Sequence, residues 1–196
     1  MQKMYVIAGC NGAGKTTASF TMLPELLDCV EYVNSDEIAR GLSPFDPSLA
    51  SIKATRIMLE RIQELIERRV TFGVETTLST KTLAKIIVQA QRAGYMVNLV
   101  FFWLSMPELA IERVALRVKS GGHDIPTGTI LRRYGTGIDN LFKEYMPIVD
   151  YWVIVDNSGK SGRLVAEGGT RVVTKIHHKV IYNKILEYER TRDERD

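Results

Sequence analysis

Residues 9–16 read Gly-Cys-Asn-Gly-Ala-Gly-Lys-Thr, a match to GxxxxGK[ST] placed directly behind the apolar run of residues 4–8. A glycine-rich turn between a strand and a helix narrows the fold more than any other stretch of the chain. Glycines at both ends let the backbone bend so that successive N–H groups point into one concavity, a nest for phosphate oxygens. Lys15 supplies a charge for the β- and γ-phosphates of a nucleotide, and the Thr16 hydroxyl is placed for a metal ion. The helix that opens there adds the positive end of its dipole. The nucleotide-binding set predicted on this basis is Gly9, Asn11, Gly12, Ala13, Gly14, Lys15, Thr16 and Thr17, with Thr16 as the metal ligand.

The 196 residues suit one α/β domain, 1–196, with a lid insertion around residues 113–135, and are short for two independent domains. No apolar run approaches the length needed to cross a bilayer, so a membrane is not expected as partner. A strand begins within the first few residues, so no signal or transit peptide and a cytoplasmic location are the expectation. Cys10 lies inside the phosphate loop, where a disulfide would distort the nest, so Cys10 and Cys29 read as reduced thiols without a metal framework. A net charge of +3 is far below the surplus of a dedicated nucleic-acid binder, so nucleic acid is disfavoured and basic residues matter by position.

Strand-like runs at residues 4–8, 30–34, 71–75, 97–103 and 151–155 alternate with helical patterns. That order predicts a three-layer phosphate-loop fold with a mostly parallel, five-stranded sheet and a helical lid. The first helix runs from Lys15 and should stop by Pro24. A second opens at Asp46-Pro47 and ends near Arg68, a third covers residues 80–93 before Gly94, and a fourth starts at the capping-box pattern Ser105-x-x-Glu108 and continues through Arg117. Residues 120–129 are rich in turn formers and lie between basic helical stretches at 113–119 and 130–141, which reads as a mobile lid. A loop follows at 156–162, and a last helix runs from Lys175 and frays over 189–196.

In open α/β sheets ligands sit beyond the carboxyl ends of the strands, and two acids fall there, Asp36 and Glu75, the latter followed by Thr76. A carboxylate beside a transferred phosphoryl group can take the proton of an attacking hydroxyl. Asp36 also reads as the N-cap of a short helix over 37–40, and Glu75 as a ligand for substrate hydroxyls or for the Mg²⁺ shell. Arg113 and Arg117 share a helix face, and Arg132 and Arg133 return on the far side of the lid, which suggests a phosphate clamp; solvation of a helix face is the competing role for each. His123, His177 and His178 read as surface residues, the latter two on the last helix, and Phe101, Phe102 and Trp103 as core. Asn183-Lys184-Ile185-Leu186 lacks the aspartate that reads guanine, which disfavours a GTPase.

The succession GCNGAGKTT, VNSDEIARGLSPFD, FGVETTLS, RVKSGGHDIPTGTILRRY and VDNSG resembles the zeta toxin family, in particular its short single-domain relatives. The resemblance implies a core like those of adenylate kinase and chloramphenicol phosphotransferase, with ATP and Mg²⁺ as cofactors held by Lys15 and Thr16. It implies Asp36 as general base, Glu75 and Thr76 as substrate-binding residues, and Arg117 with Arg132 or Arg133 on the phosphates. It further implies a small-molecule hydroxyl as acceptor, as in toxins that phosphorylate the 3′-hydroxyl of UDP-N-acetylglucosamine, and an antitoxin protein as partner. Two other functions stay open: a nucleoside, nucleotide or antibiotic kinase of the same core, and an ATP-binding switch with no acceptor.

Overall fold

The computed structural model describes residues 1–193. β1 (Lys3–Ala8) is buried at every residue but its first, as its unbroken apolar run requires of a strand covered on both faces. It lies between two parallel neighbours, β3 (Phe72–Thr76) and β4 (Met96–Trp103). β2 (Glu31–Val33) pairs in parallel beyond β3, and β5 (Tyr151–Asp156) beyond β4. All five expected strands are therefore present, and their carboxyl ends open on one side of the sheet.

The sheet has seven strands, not five. β6 (Arg163–Gly169) and β7 (Val172–Ile176) extend it antiparallel in the order β2-β3-β1-β4-β5-β6-β7. β6 ends in two glycines and lies where no strand was expected; the register shifts beside Gly168, where a Cβ would lie 2.0 Å from the Val172 carbonyl oxygen and 2.5 Å from the Trp152 ring. Every residue of β7 is exposed, so it carries no alternating pattern to recognise. Lys175 belongs to β7, His177 and His178 follow it, and the last helix, α7 (Lys179–Asp193), starts later than expected. It stays helical through residue 193, so the fraying expected from 189 is absent up to there; 194–196 lie outside the described residues.

α1 (Lys15–Thr21) ends before Pro24 as expected, but the chain continues in a wide π turn, Met22–Leu26, that passes through the proline. A regular α-turn would drive the Pro24 ring into the carbonyl four residues back; the wider turn relieves that clash. α2 (Ser35–Leu42) is followed by a 3-10 turn at Pro47–Ala50, capped by Asp46, which feeds α3 (Ser51–Glu67). α4 (Thr82–Arg92) stops before Gly94, whose φ is +86°. α5 (Pro107–Lys119) does not use the expected capping box: Met106 occupies the cap position and Pro107 opens the helix. The Ser105 N–H bonds the Ser158 hydroxyl at 2.8 Å instead, which draws it away from the helix end. α6 (Thr127–Asn140) begins before Ile130 and passes into a second π turn, Leu141–Tyr145.

One large apolar cluster joins the faces of the sheet to these helices, with Met4, Ile7, Phe72, Leu99, Tyr145 and Trp152 fully enclosed. Burial of a side chain of this size stabilises by roughly 1.5–3 kcal/mol. Phe101, Phe102 and Trp103 are buried, in agreement with the core role expected of them. α6 approaches the chain after β3 so closely that a Cβ on Gly137 would lie 2.6 Å from the Thr77 carbonyl oxygen. That contact brings the basic residues of α6 to the carboxyl ends of the central strands.

Candidate active site

The phosphate loop is shaped by backbone that only glycine adopts readily. Gly9 has φ +140° and passes the Phe102 carbonyl oxygen, which a Cβ would meet at 2.4 Å. Gly14, at φ +85°, is the cap residue of α1. Asn157, in the loop after β5, donates its side-chain N–H to the Ala13 carbonyl at 2.7 Å and braces the loop from outside. Lys15 is 5% exposed; its Nζ donates to the Cys10 carbonyl at 3.0 Å and stands 3.5 Å from Glu75 Oε1. Burial pushes the Cys10 thiol up to about 11, against the opposing charge of Lys15, so it stays protonated at neutral pH.

Both acids lie at the carboxyl side of the sheet, Glu75 within the end of β3 and Asp36 just beyond β2. Glu75 pairs in register with Ile7 and is 9% exposed. Its Oε2 accepts a hydrogen bond from the Thr16 hydroxyl at 2.8 Å and another from the Tyr32 hydroxyl. Thr16 and Glu75 thus present oxygen donors suited to a hard cation such as Mg²⁺. Among the described residues no group of three or more His, Cys, Asp or Glu could hold a metal ion. Asp36 is the second residue of α2, and the capping role foreseen for it falls to Asn34, whose Oδ1 accepts the Asp36 backbone N–H at 2.9 Å. The Asp36 carboxylate therefore does not serve as the cap of this helix.

A cleft of about 280 Å³ joins the phosphate loop to Asp36, Glu75, Arg40, Arg113, Arg117 and His123. A neighbouring cleft of about 180 Å³ shares Lys15, Asp36 and Glu75 and is lined by the hydroxyl-bearing residues Ser35, Thr55, Thr76, Thr77, Ser79 and Thr80, with Arg133 beside them. Asp36 borders both. The expected arginines divide among these surroundings. Arg113 donates to the Ser158 carbonyl at 3.1 Å, and Arg117 to the His123 carbonyl at 2.8 Å, which folds the 120–126 turn back on α5. Arg133 donates to Asn11 Oδ1 at 3.1 Å, and its buried Nε has no hydrogen-bond partner among the described residues. Burial lowers its proton affinity while the Asp36 charge works against that loss. Arg132 is exposed and is not among the residues lining these clefts.

Arg40, Tyr32 and Asn157 are the residues near this site that the sequence alone did not single out. Arg40 stands four positions after Asp36 on α2, a helical spacing that places both on one face and was legible. Tyr32 reaches Glu75 only because β2 and β3 are neighbours, and no local pattern signals that.

Comparison with known proteins gives a consistent result. The Zeta toxin family model matches residues 2–195. An uncharacterized protein of Haemophilus influenzae is 34% identical over 134 residues, which covers 67% of this chain and 92% of that protein. Among solved structures, a chain of the AvrRxo1-ORF1:-ORF2 complex with ATP superposes with a TM-score of 0.74 at 16% identity. It matches 94% of this chain, which spans only 63% of that one. A chain of the PezAT chromosomal toxin-antitoxin system of Streptococcus pneumoniae superposes with a TM-score of 0.63 at 17% identity, over 99% of this chain and 87% of its own.

Proposed function

Because the chain belongs to the Zeta toxin family, we propose that it is an ATP-dependent phosphotransferase that moves the γ-phosphoryl group to a hydroxyl of a small molecule. The acceptor we assign is a nucleotide sugar of the UDP-N-acetylglucosamine type, and the protein partner an antitoxin. One observation carries the reading: Asp36, which Asn34 relieves of capping, borders both the phosphate-loop cleft and the hydroxyl-lined cleft. A carboxylate between a phosphate nest and a sugar-sized polar pocket is where a general base for hydroxyl attack belongs.

In this reading Lys15 and the loop N–H groups hold the β- and γ-phosphates, and Thr16 holds the metal ion. A bound Mg²⁺ would neutralise charge on the phosphate oxygens. The hydroxyls after β3, with Glu75 and Thr76, orient the acceptor. Asp36 takes the acceptor's hydroxyl proton as that oxygen forms its bond to the γ-phosphorus; the bond from that phosphorus to the bridging oxygen breaks, and ADP leaves. Arg117 and Arg133 flank the two clefts and are placed to stabilise charge on the transferred group, a role worth roughly 10³–10⁵ in rate for an arginine finger.

The test is incubation with labelled ATP, Mg²⁺ and separate nucleotide sugars, nucleosides and antibiotics, with identification of the labelled product. A phosphorylated nucleotide sugar supports the full reading. Labelling of a nucleoside or an antibiotic would keep the kinase and replace the acceptor. ATP hydrolysis alone, with no acceptor labelled from a metabolite extract, would favour a nucleotide-binding switch.

A further inference from the structure

Glu75 has three partners that differ in what else they must do. The Lys15 ammonium, 3.5 Å from Oε1, is the charge for which nucleotide phosphates compete. Thr16 donates its proton to Oε2 at 2.8 Å while its lone pairs remain available to a metal ion. Tyr32 has neither duty. It stands opposite Gly73 in the β2–β3 register, with its ring at ordinary contact distance, 3.5 Å, from where a Gly73 Cβ would lie. Its hydroxyl donates to Glu75 Oε2 and accepts from Asn34 Nδ2 at 3.4 Å. Asn34 in turn caps α2, the helix that carries Asp36.

Building on the assignment of the loop as the nucleotide site, we propose that Tyr32 is a positioning residue: it fixes the Glu75 carboxylate when Lys15 turns to the phosphates, and through Asn34 ties that carboxylate to the helix bearing Asp36. While Lys15 faces Glu75, the carboxylate keeps two partners even without the tyrosine hydroxyl. Once the ammonium serves the nucleotide, Thr16 and Tyr32 are the protein donors that remain, beside any metal ion that Thr16 and Glu75 share. A carboxylate enclosed beside incoming phosphates and short of one donor opposes their binding, so loss of the Tyr32 hydroxyl is felt in the nucleotide complex more than in the free protein.

Tyr32→Phe keeps the ring and removes only the O–H. The measurements are binding of a non-hydrolysable ATP analogue with Mg²⁺ by calorimetry, and melting with and without that analogue. They are made for the unmodified protein, Tyr32→Phe, Glu75→Gln and the double variant. We expect Tyr32→Phe to weaken the analogue about tenfold, the scale of one lost hydrogen bond to a charged group. Its melting temperature should fall mainly in the presence of the analogue, and in the Glu75→Gln background it should cost no further affinity. Unchanged affinity would overturn the proposal, as would an equal loss in the Glu75→Gln background, since a packing role does not depend on the carboxylate. If the unmodified protein itself fails to bind the analogue, the nucleotide-site assignment fails first, a result that these variants do not mimic.

Discussion

At the scale of single residues, Asp36 and Asn34 divide between them what one side chain would otherwise have to do. Asp36→Asn should leave affinity for an ATP analogue within a factor of a few and lower turnover by about 10²–10⁴, the range of a lost general base. Unimpaired turnover, read in the labelled-ATP assay, would move the base elsewhere. Asn34→Ala removes the N-cap of α2 and should cost about 1 kcal/mol of stability, measurable as a shift in urea midpoint. Arg133 and Arg132 are sequence neighbours in unlike surroundings, one bonded to Asn11 beside Asp36 and the other exposed. Arg133→Ala should therefore reduce turnover at least tenfold, a modest share of what a phosphate-stabilising arginine supplies, and Arg132→Ala by less than about threefold. Equal losses in the two would show that their placement does not decide their role.

At the scale of elements, residues 121–124 are tied down by Arg117 bonding the His123 carbonyl and by the Gly121 and Gly122 N–H groups bonding the Val118 and Arg117 carbonyls at 2.9 Å, while Ile125 beyond them is buried. A segment so lightly held opens at low free-energy cost. Amides of 121–124 should exchange quickly in the free protein and slow down with an ATP analogue; equal rates would make it a static turn. The elements also mark where sequence reading works. The phosphate loop was legible because strand, glycines and lysine are contiguous; α3 was legible from its apolar spacing, although Asp46 caps the 3-10 turn before it and α3 itself starts at Ser51, later than expected. β6 and β7 were not, because glycines end the one and full exposure erases the pattern of the other. Ser105 was misplaced because its competitor, Ser158, lies far along the chain. The link between Tyr32, Glu75 and Thr16 needs the strand order β2-β3-β1, which no single segment encodes.

At the scale of the whole molecule, the two cysteines make its stability sensitive to alkali. Burial raises both Cys10 and Cys29 from 9.0 to about 11. Between those values the unfolded chain has released the thiol protons while the folded chain still holds them, so unfolding gains free energy as pH rises. The urea midpoint should fall from about pH 9 towards pH 11, and Cys29→Ala should flatten part of that decline. An unchanged slope would mean that Cys29 ionises alike in both states. The buried tyrosines Tyr32 and Tyr134, also raised by burial, add to the loss above pH 10. The close passages at Gly9, Gly14 and Gly137 bear differently on the molecule as a whole. Each faces backbone or a braced amide where a Cβ would come within 2.4–2.6 Å: Phe102, Asn157 and Thr77. A saturation scan scored for function should therefore return these three positions as intolerant even to alanine. Gly41 and Gly128, which face nothing within 4 Å, should accept a methyl group freely. The resulting map would trace the outline of the clefts from residues that contribute no side chain to them.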